Sequence, residues 1–131
     1  MTWDYDSDAQ YENERMSENV AELAEAVVGH RIVQVDYTQG NYFTPLEITL
    51  DNGKKVLLAN TSDCCAYTEL NRFLLNPDKI DHIITGVTAG ENFETWHIYA
   101  DMEDVLSLDV SWSSGNTGYY GFGFDIAVVD A

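Results

Sequence analysis

Positive charge is what this sequence has least of. Six Lys and Arg face 23 Asp and Glu, a net charge of −17 over 131 residues, and no basic side chain follows Lys79. Binding to a phosphate backbone needs clustered Lys and Arg, so direct nucleic-acid binding is excluded. Cysteine is almost as scarce: Cys64 and Cys65 are the only two, and they are adjacent. Neighbouring cysteines bridge only through a strained ring, so no disulfide framework is expected, which fits a reducing compartment. No apolar run reaches the length of a membrane span and no basic, apolar leader opens the chain, so a soluble, cytoplasmic protein is expected. Walker and dinucleotide-binding glycine patterns and a G-x-S-x-G elbow are also missing, and no cofactor is implied.

The acids are spread unevenly. Residues 1–30 hold eight acids and one base, 31–60 three of each, 61–100 six and two, and 101–131 six and none. Such a field attracts a basic protein surface or a divalent cation, although acidity also serves solubility alone. Residues 1–16, "MTWDYDSDAQYENERM", read as an acidic arm without periodicity, set before a single domain at 17–131. Within it Trp3, Tyr5 and Tyr11 offer anchors for a partner, among the charges of Asp4, Asp6, Asp8, Glu12 and Glu14. Glu18, Glu22 and Glu25 continue the acidic surface into the next element.

That element is "SENVAELAEAVVGHR". Ser17 suits an N-cap, Gly29 a C-terminal stop, and Val20, Leu23, Ala24, Val27 and Val28 form one apolar stripe at helical spacing. Strands are expected next. "RIVQVDY" alternates Val33, Val35 and Tyr37, and "PLEITLDNGKKVLLAN" is a hairpin turning at Asn52-Gly53. "IDHIITGV" and "TWHIYAD" read as two more strands, and "VLSLDVSW" alternates Leu106, Leu108, Val110 and Trp112. "DCCAYTELNRFLLNPDK" reads as a short second helix, capped by Asp63 and stopped before Pro77. The glycine-aromatic stretch "GNTGYYGFGF" opens with a turn over Ser113–Gly118. A strand follows, with Tyr120, Phe122, Phe124, Ile126 and Val128 on its large face and Gly121 and Gly123 on its small one. The fold class expected is α+β: one twisted, mainly antiparallel sheet of six to seven strands, with the N-terminal helix and the short helix packed on it.

Known chemistries fit poorly. "TGYYGFGF" imitates an RNA-stacking strand but has Thr117 where a base-binding cation belongs. "DYDSDAQYENER" places Asp4, Asp6 and Asp8 like a calcium loop, yet Ala9 stands where the turn needs glycine and Arg15 where the bidentate Glu belongs. Cys64, Cys65, His30, His82 and His97 lack the spacing of zinc ligands. His82 and His97 fall on expected neighbouring strands, in positions to share a face, though a His beside Trp96 is more commonly structural; carboxylate pairs are too common in so acidic a chain to mark a site.

Several fragments in order, "LDNGKKVLL", "CCAYTELN", "IITGV", "WHIYAD" and "GNTGYYGFGFDIAV", resemble a family of small domains of unknown function from actinobacterial phage genomes. The resemblance covers about residues 29–130. Asn116-Thr117-Gly118 departs from the Asn-Gly that precedes the paired tyrosines in that family. It implies a phage accessory protein and transfers no catalytic residue. The function expected is a non-catalytic acidic protein that engages a basic surface on a host nucleic-acid-binding or defence protein, with DNA mimicry as its sharpest form. A small enzyme or metal-dependent protein using His82, His97 or Cys64/Cys65 is the alternative.

Overall fold

The computed structural model describes residues 3–38, 44–63, 65–115 and 121–130; the side chains of 3–11 and of Glu91 lie outside this description. The chain opens with one helix, α1 (Trp3–Val27). The expected start at Ser17 is therefore wrong, and the arm is helical in backbone. No Gly or Pro interrupts 3–16, and Met16 and Asn19 are buried beside Val20, Leu23 and Val27. Their i, i+3, i+4, i+7 spacing gives the helix a packed face that starts before the expected cap. Gly29, at φ 89°, ends α1 as expected, and its N–H donates to the Ile84 carbonyl.

The rest is strand, in two antiparallel sheets of four and five strands rather than one of six or seven. The first sheet contains β1 (Ile32–Tyr37), β2 (Leu46–Leu50), β3 (Lys54–Ala59) and, from the end of the chain, β9 (Asp125–Asp130), in the order β1-β2-β3-β9. The second contains β4 (Thr61–Asp63), β5 (Ala66–Leu75), β6 (Gly86–Ala89), β7 (Thr95–Ala100) and β8 (Glu103–Ser113), in the order β4-β5-β8-β7-β6. Short 3-10 turns occupy Pro77–Lys79 and Glu91–Phe93.

Three local expectations change. The expected second helix is β4 and β5, because Ala66, Thr68 and Leu70 are buried at period two and face the core. Asp63 caps no helix there; it accepts from the Gly121 N–H. A register shift between Ile32 and Gln34 turns Val33 outward, 58% exposed, so only Val35 and Tyr37 of the expected β1 face pack on the core. The strand expected over "IDHIITGV" shrinks to Gly86–Ala89. Ile84 exchanges backbone bonds with Gly29 and His30 instead, and this draws the preceding loop to the end of α1.

The hairpin β2–β3 and the β8 alternation stand as expected, with Leu46, Ile48, Leu50, Leu106, Leu108 and Val110 buried. The chain crosses between the sheets at Asn60, whose Oδ1 accepts from the Leu70 N–H at 2.9 Å. The inward faces of both sheets and of α1 share one contiguous apolar core. The helix lies against β6 and β9, an outer strand of each sheet.

Candidate functional site

The "GFGF" stretch is where the helix, both sheets and a groove come together. Residues 121–124 are not strand; the ladder with β3 begins at Asp125. Gly123, at φ 98°, breaks the extended path that the alternating aromatics imply. Phe122 and Phe124 are nonetheless buried. Phe122 stacks on Trp112 with centroids 5.7 Å apart, and Phe124 meets Trp96 edge-on at 5.3 Å. Of the turn expected over Ser113–Gly118, Ser113 still belongs to β8, and residues 116–120, with Thr117 and Tyr120, lie outside the described residues.

A buried segment without a ladder must find partners for its peptide groups elsewhere. Here side chains supply them. Asn19 clamps Phe124 from both sides, its Nδ2 donating to the carbonyl at 3.0 Å and its Oδ1 accepting from the N–H at 2.8 Å. The Gly123 N–H donates to Thr68 Oγ1 at 2.7 Å, and Thr61 Oγ1 donates to the Gly123 carbonyl at 2.8 Å. Arg15 Nε donates to the Phe122 carbonyl at 3.0 Å, with the guanidinium 5.7 Å from the Phe122 ring centre. "GFGF" is thus a loop that the rest of the chain holds in place.

On its outer side this loop forms one wall of a groove of about 570 Å³. The opposite wall is α1, with Arg15, Glu18, Asn19 and Glu22; Thr61, Ser62 and Asp63 close one end. Arg15, Asn19, Thr61 and Asp63 are engaged with the loop backbone, which leaves Glu18, Glu22, Ser62 and Asp125 as its other polar side chains. Carboxylates facing an open groove attract cations.

Of the sequence-derived candidates, Glu18 and Glu22 line this groove. Trp3, Asp4, Tyr5, Asp6, Asp8 and Tyr11 fall on α1, and their side chains are outside the described residues. Glu12 accepts from Ser114 Oγ, while Glu14, Glu18, Glu22 and Glu25 are exposed. His82 pairs with Asp101, and His97 Nδ1 with Asp104 Oδ2 at 2.9 Å. The two histidines do not share a ladder position, since Thr88 stands opposite His97. Cys64 is outside the described residues and Cys65 is exposed. Among the described residues no three His, Cys, Asp or Glu side chains are placed to hold a metal ion. No described helix is long and apolar enough to cross a membrane.

The cations are placed as tellingly as the acids. Arg31, Lys54, Lys55, Arg72 and Lys79 pair with Asp51, Asp130, Glu47, Asp109 and Glu103 respectively, all around the sheets. Hydrogen bonds donated to Asp109 and Glu103 raise the pKa of Arg72 and Lys79 respectively, and the bond from Lys54 holds the Asp130 carboxyl below its usual range. Over Trp3–Val27 the sequence holds eight Asp and Glu and a single cation, Arg15. Composition alone makes the acidic wall visible. Asn19 and Arg15 carry no such signal, because their partners lie more than a hundred residues away.

A domain of unknown function, DUF7448, matches residues 25–126. The chain belongs to that family. The matched span closely follows the 29–130 stretch of the sequence resemblance and takes in every strand, with β9 entering only at its start. DUF7448 leaves out most of α1, so seven of the eight helix carboxylates precede the matched residues. No curated protein and no solved structure matches the chain.

Proposed function

We propose that this DUF7448 protein is a non-catalytic acidic binding protein whose α1 surface engages a basic surface on another protein. The observation that carries this reading is where the charge lies: five of the six cations are paired with carboxylates around the sheets, while the 25 residues of α1 hold eight Asp and Glu and one cation, Arg15. Complementary fields of this kind steer association and suppress like-charged partners. A phage origin, a cytoplasmic setting and a host defence or nucleic-acid-binding partner complete the proposal. The first rests on the sequence resemblance, and the others follow from acidity, cysteine usage and the DNA-like charge. Trp3, Tyr5 and Tyr11 serve as anchors on the same helix. The enzymatic alternative draws no support from His82 and His97, each tied to its own aspartate at the surface.

Capture from host lysate on the immobilised protein, elution by salt and mass spectrometry name the partner. Its association rate should then fall steeply as salt rises, because screening acts over about 8 Å at physiological ionic strength. Deletion of residues 1–14 should weaken binding while the domain stays folded. A partner whose on-rate ignores salt would overturn the proposal.

A further inference from the structure

β9 is an outer strand whose second edge carries no backbone hydrogen bond among the described residues. Its register exposes more than an edge. Ile126 and Val128 stand opposite Leu58 and Val56, both fully buried, and so share the core-facing side of the sheet. Val128 is nevertheless 51% exposed. The apolar face of the first sheet runs out uncovered at this strand, and Ile126–Val129 contains none of the Lys, Pro or inward charges that usually protect an edge.

The space beside this edge is a trough. The 570 Å³ groove meets a second one of about 440 Å³ at Glu22 and Ile126, which line both. Together they run between α1 and β9 as far as Val128 and Lys54. Glu18, Glu22 and Glu25 stand on the helix wall; Arg15 shares it but is turned to the Phe122 carbonyl, and Lys54 is paired with Asp130. At about 1.5 Å per residue these carboxylates are spaced by about 6 and 4.5 Å along the axis. Alternate side chains of a strand recur about every 6.7 Å, so two successive inward-facing cations of an extended chain meet this wall.

From this juxtaposition we infer that the trough takes an extended basic segment of a partner protein, added as a further strand to the free edge of β9. The inference rests on the acidic-binding reading above and gives it a location. Main-chain hydrogen bonds to β9 fix the segment. Its inward side chains are Lys or Arg, whose stems cover Ile126 and Val128 while their charged ends reach Glu18, Glu22 and Glu25. Its outward side chains are β-branched and continue the surface of Ala127 and Val129. A second copy of this chain fits the edge but not the wall, since it brings another −17 and a second row of carboxylates.

The probe is a synthetic heptapeptide of alternating lysine and valine, titrated into the full chain and followed by calorimetry and amide chemical shifts. Two further versions carry N-methyl groups, one on the lysine amides and one on the valine amides. In an added strand only one alternate set of N–H groups faces β9. One version should therefore lose affinity about tenfold or more while the other binds like the parent. Shifts should concentrate at 125–130, and E18Q/E22Q/E25Q and V128K should each weaken binding. If both methylated versions bind like the parent, strand addition is wrong and a general acidic surface remains. Strand addition is equally wrong if the alternating peptide fails while polylysine binds. Failure of both probes sinks the site and the acidic-binding reading together. A dimer in sedimentation that V128K dissolves makes the occupant a second copy and overturns the inference.

Discussion

In the β2–β3 hairpin, two neighbouring strands satisfy each other's peptide groups across a ladder, and the turn between them is closed by Asn52 accepting from the Lys54 N–H. Residues 121–124 do the opposite. Their peptide groups go to Asp63, Arg15, Thr68, Thr61 and Asn19, drawn from the helix and from β4 and β5. Both regions contain a positive-φ glycine, Gly53 at 79° and Gly123 at 98°. The hairpin turn is closed by residues beside it in the chain. The loop depends on the whole fold, so it also reports on the whole fold, and the groove it walls exists only once α1 has docked.

The sharpest way to break this contrast is Phe124→Ala. Phe124 is buried against Trp96, and its truncation should cost about 3–5 kcal/mol in urea melts, a loss no hairpin surface change should match. Asn19→Ala comes next. It strands a buried N–H and a buried carbonyl of Phe124 together, for about 2–4 kcal/mol, although Asn19 is a polar residue on a helix. A loss below that of an ordinary surface substitution would mean the loop finds other partners.

Gly123→Val and Gly53→Ala compare the glycines themselves. At Gly53 nothing lies within 4 Å of an added Cβ, so only backbone strain of about 1 kcal/mol is expected. At Gly123 the same atom meets Asn19 Cγ at 3.2 Å in addition to the strain, and about 2–3 kcal/mol is expected from thermal and chemical melts. Gly121→Ala should be close to silent, within about 0.5 kcal/mol, because its nearest neighbour, Asp63 Oδ2, is at an ordinary 3.8 Å.

The smallest effect expected is at Asp130, which ties the last residue of β9 to Lys54 at the start of β3. Its folded pKa is depressed, first by the hydrogen bond from Lys54 and then by that residue's charge. The stabilisation is therefore present above the ordinary carboxylate range and disappears as pH falls through the depressed value. Asp130→Asn should be slightly less stable than the parent at neutral pH and indistinguishable from it in strong acid. A gap that persists in acid would mean the pair acts through something other than charge. Asp130 is fully exposed, so the gap is small at its largest.

Elements whose partners are close along the chain were legible from the amino-acid order alone. The apolar spacing of Val20, Leu23 and Val27, the stop at Gly29, the Asn52-Gly53 turn and the alternation of β8 are all local patterns that hold, while Val28, expected on the same stripe, lies exposed just past the helix. The acidic wall belongs with them, since Glu18, Glu22 and Glu25 are visible in composition before any fold is known. Long-range packing settled the rest. α1 runs back to Trp3, with Met16 in the core, and Ala66–Leu75 is a strand because its alternate residues face an existing core. "GFGF" alternates like a strand, but its peptide groups are claimed by Asn19 and Arg15, 105 and 107 residues away. Local periodicity cannot encode a bond across that separation. The groove's second wall, and with it the candidate site, comes into being only when the chain closes on itself.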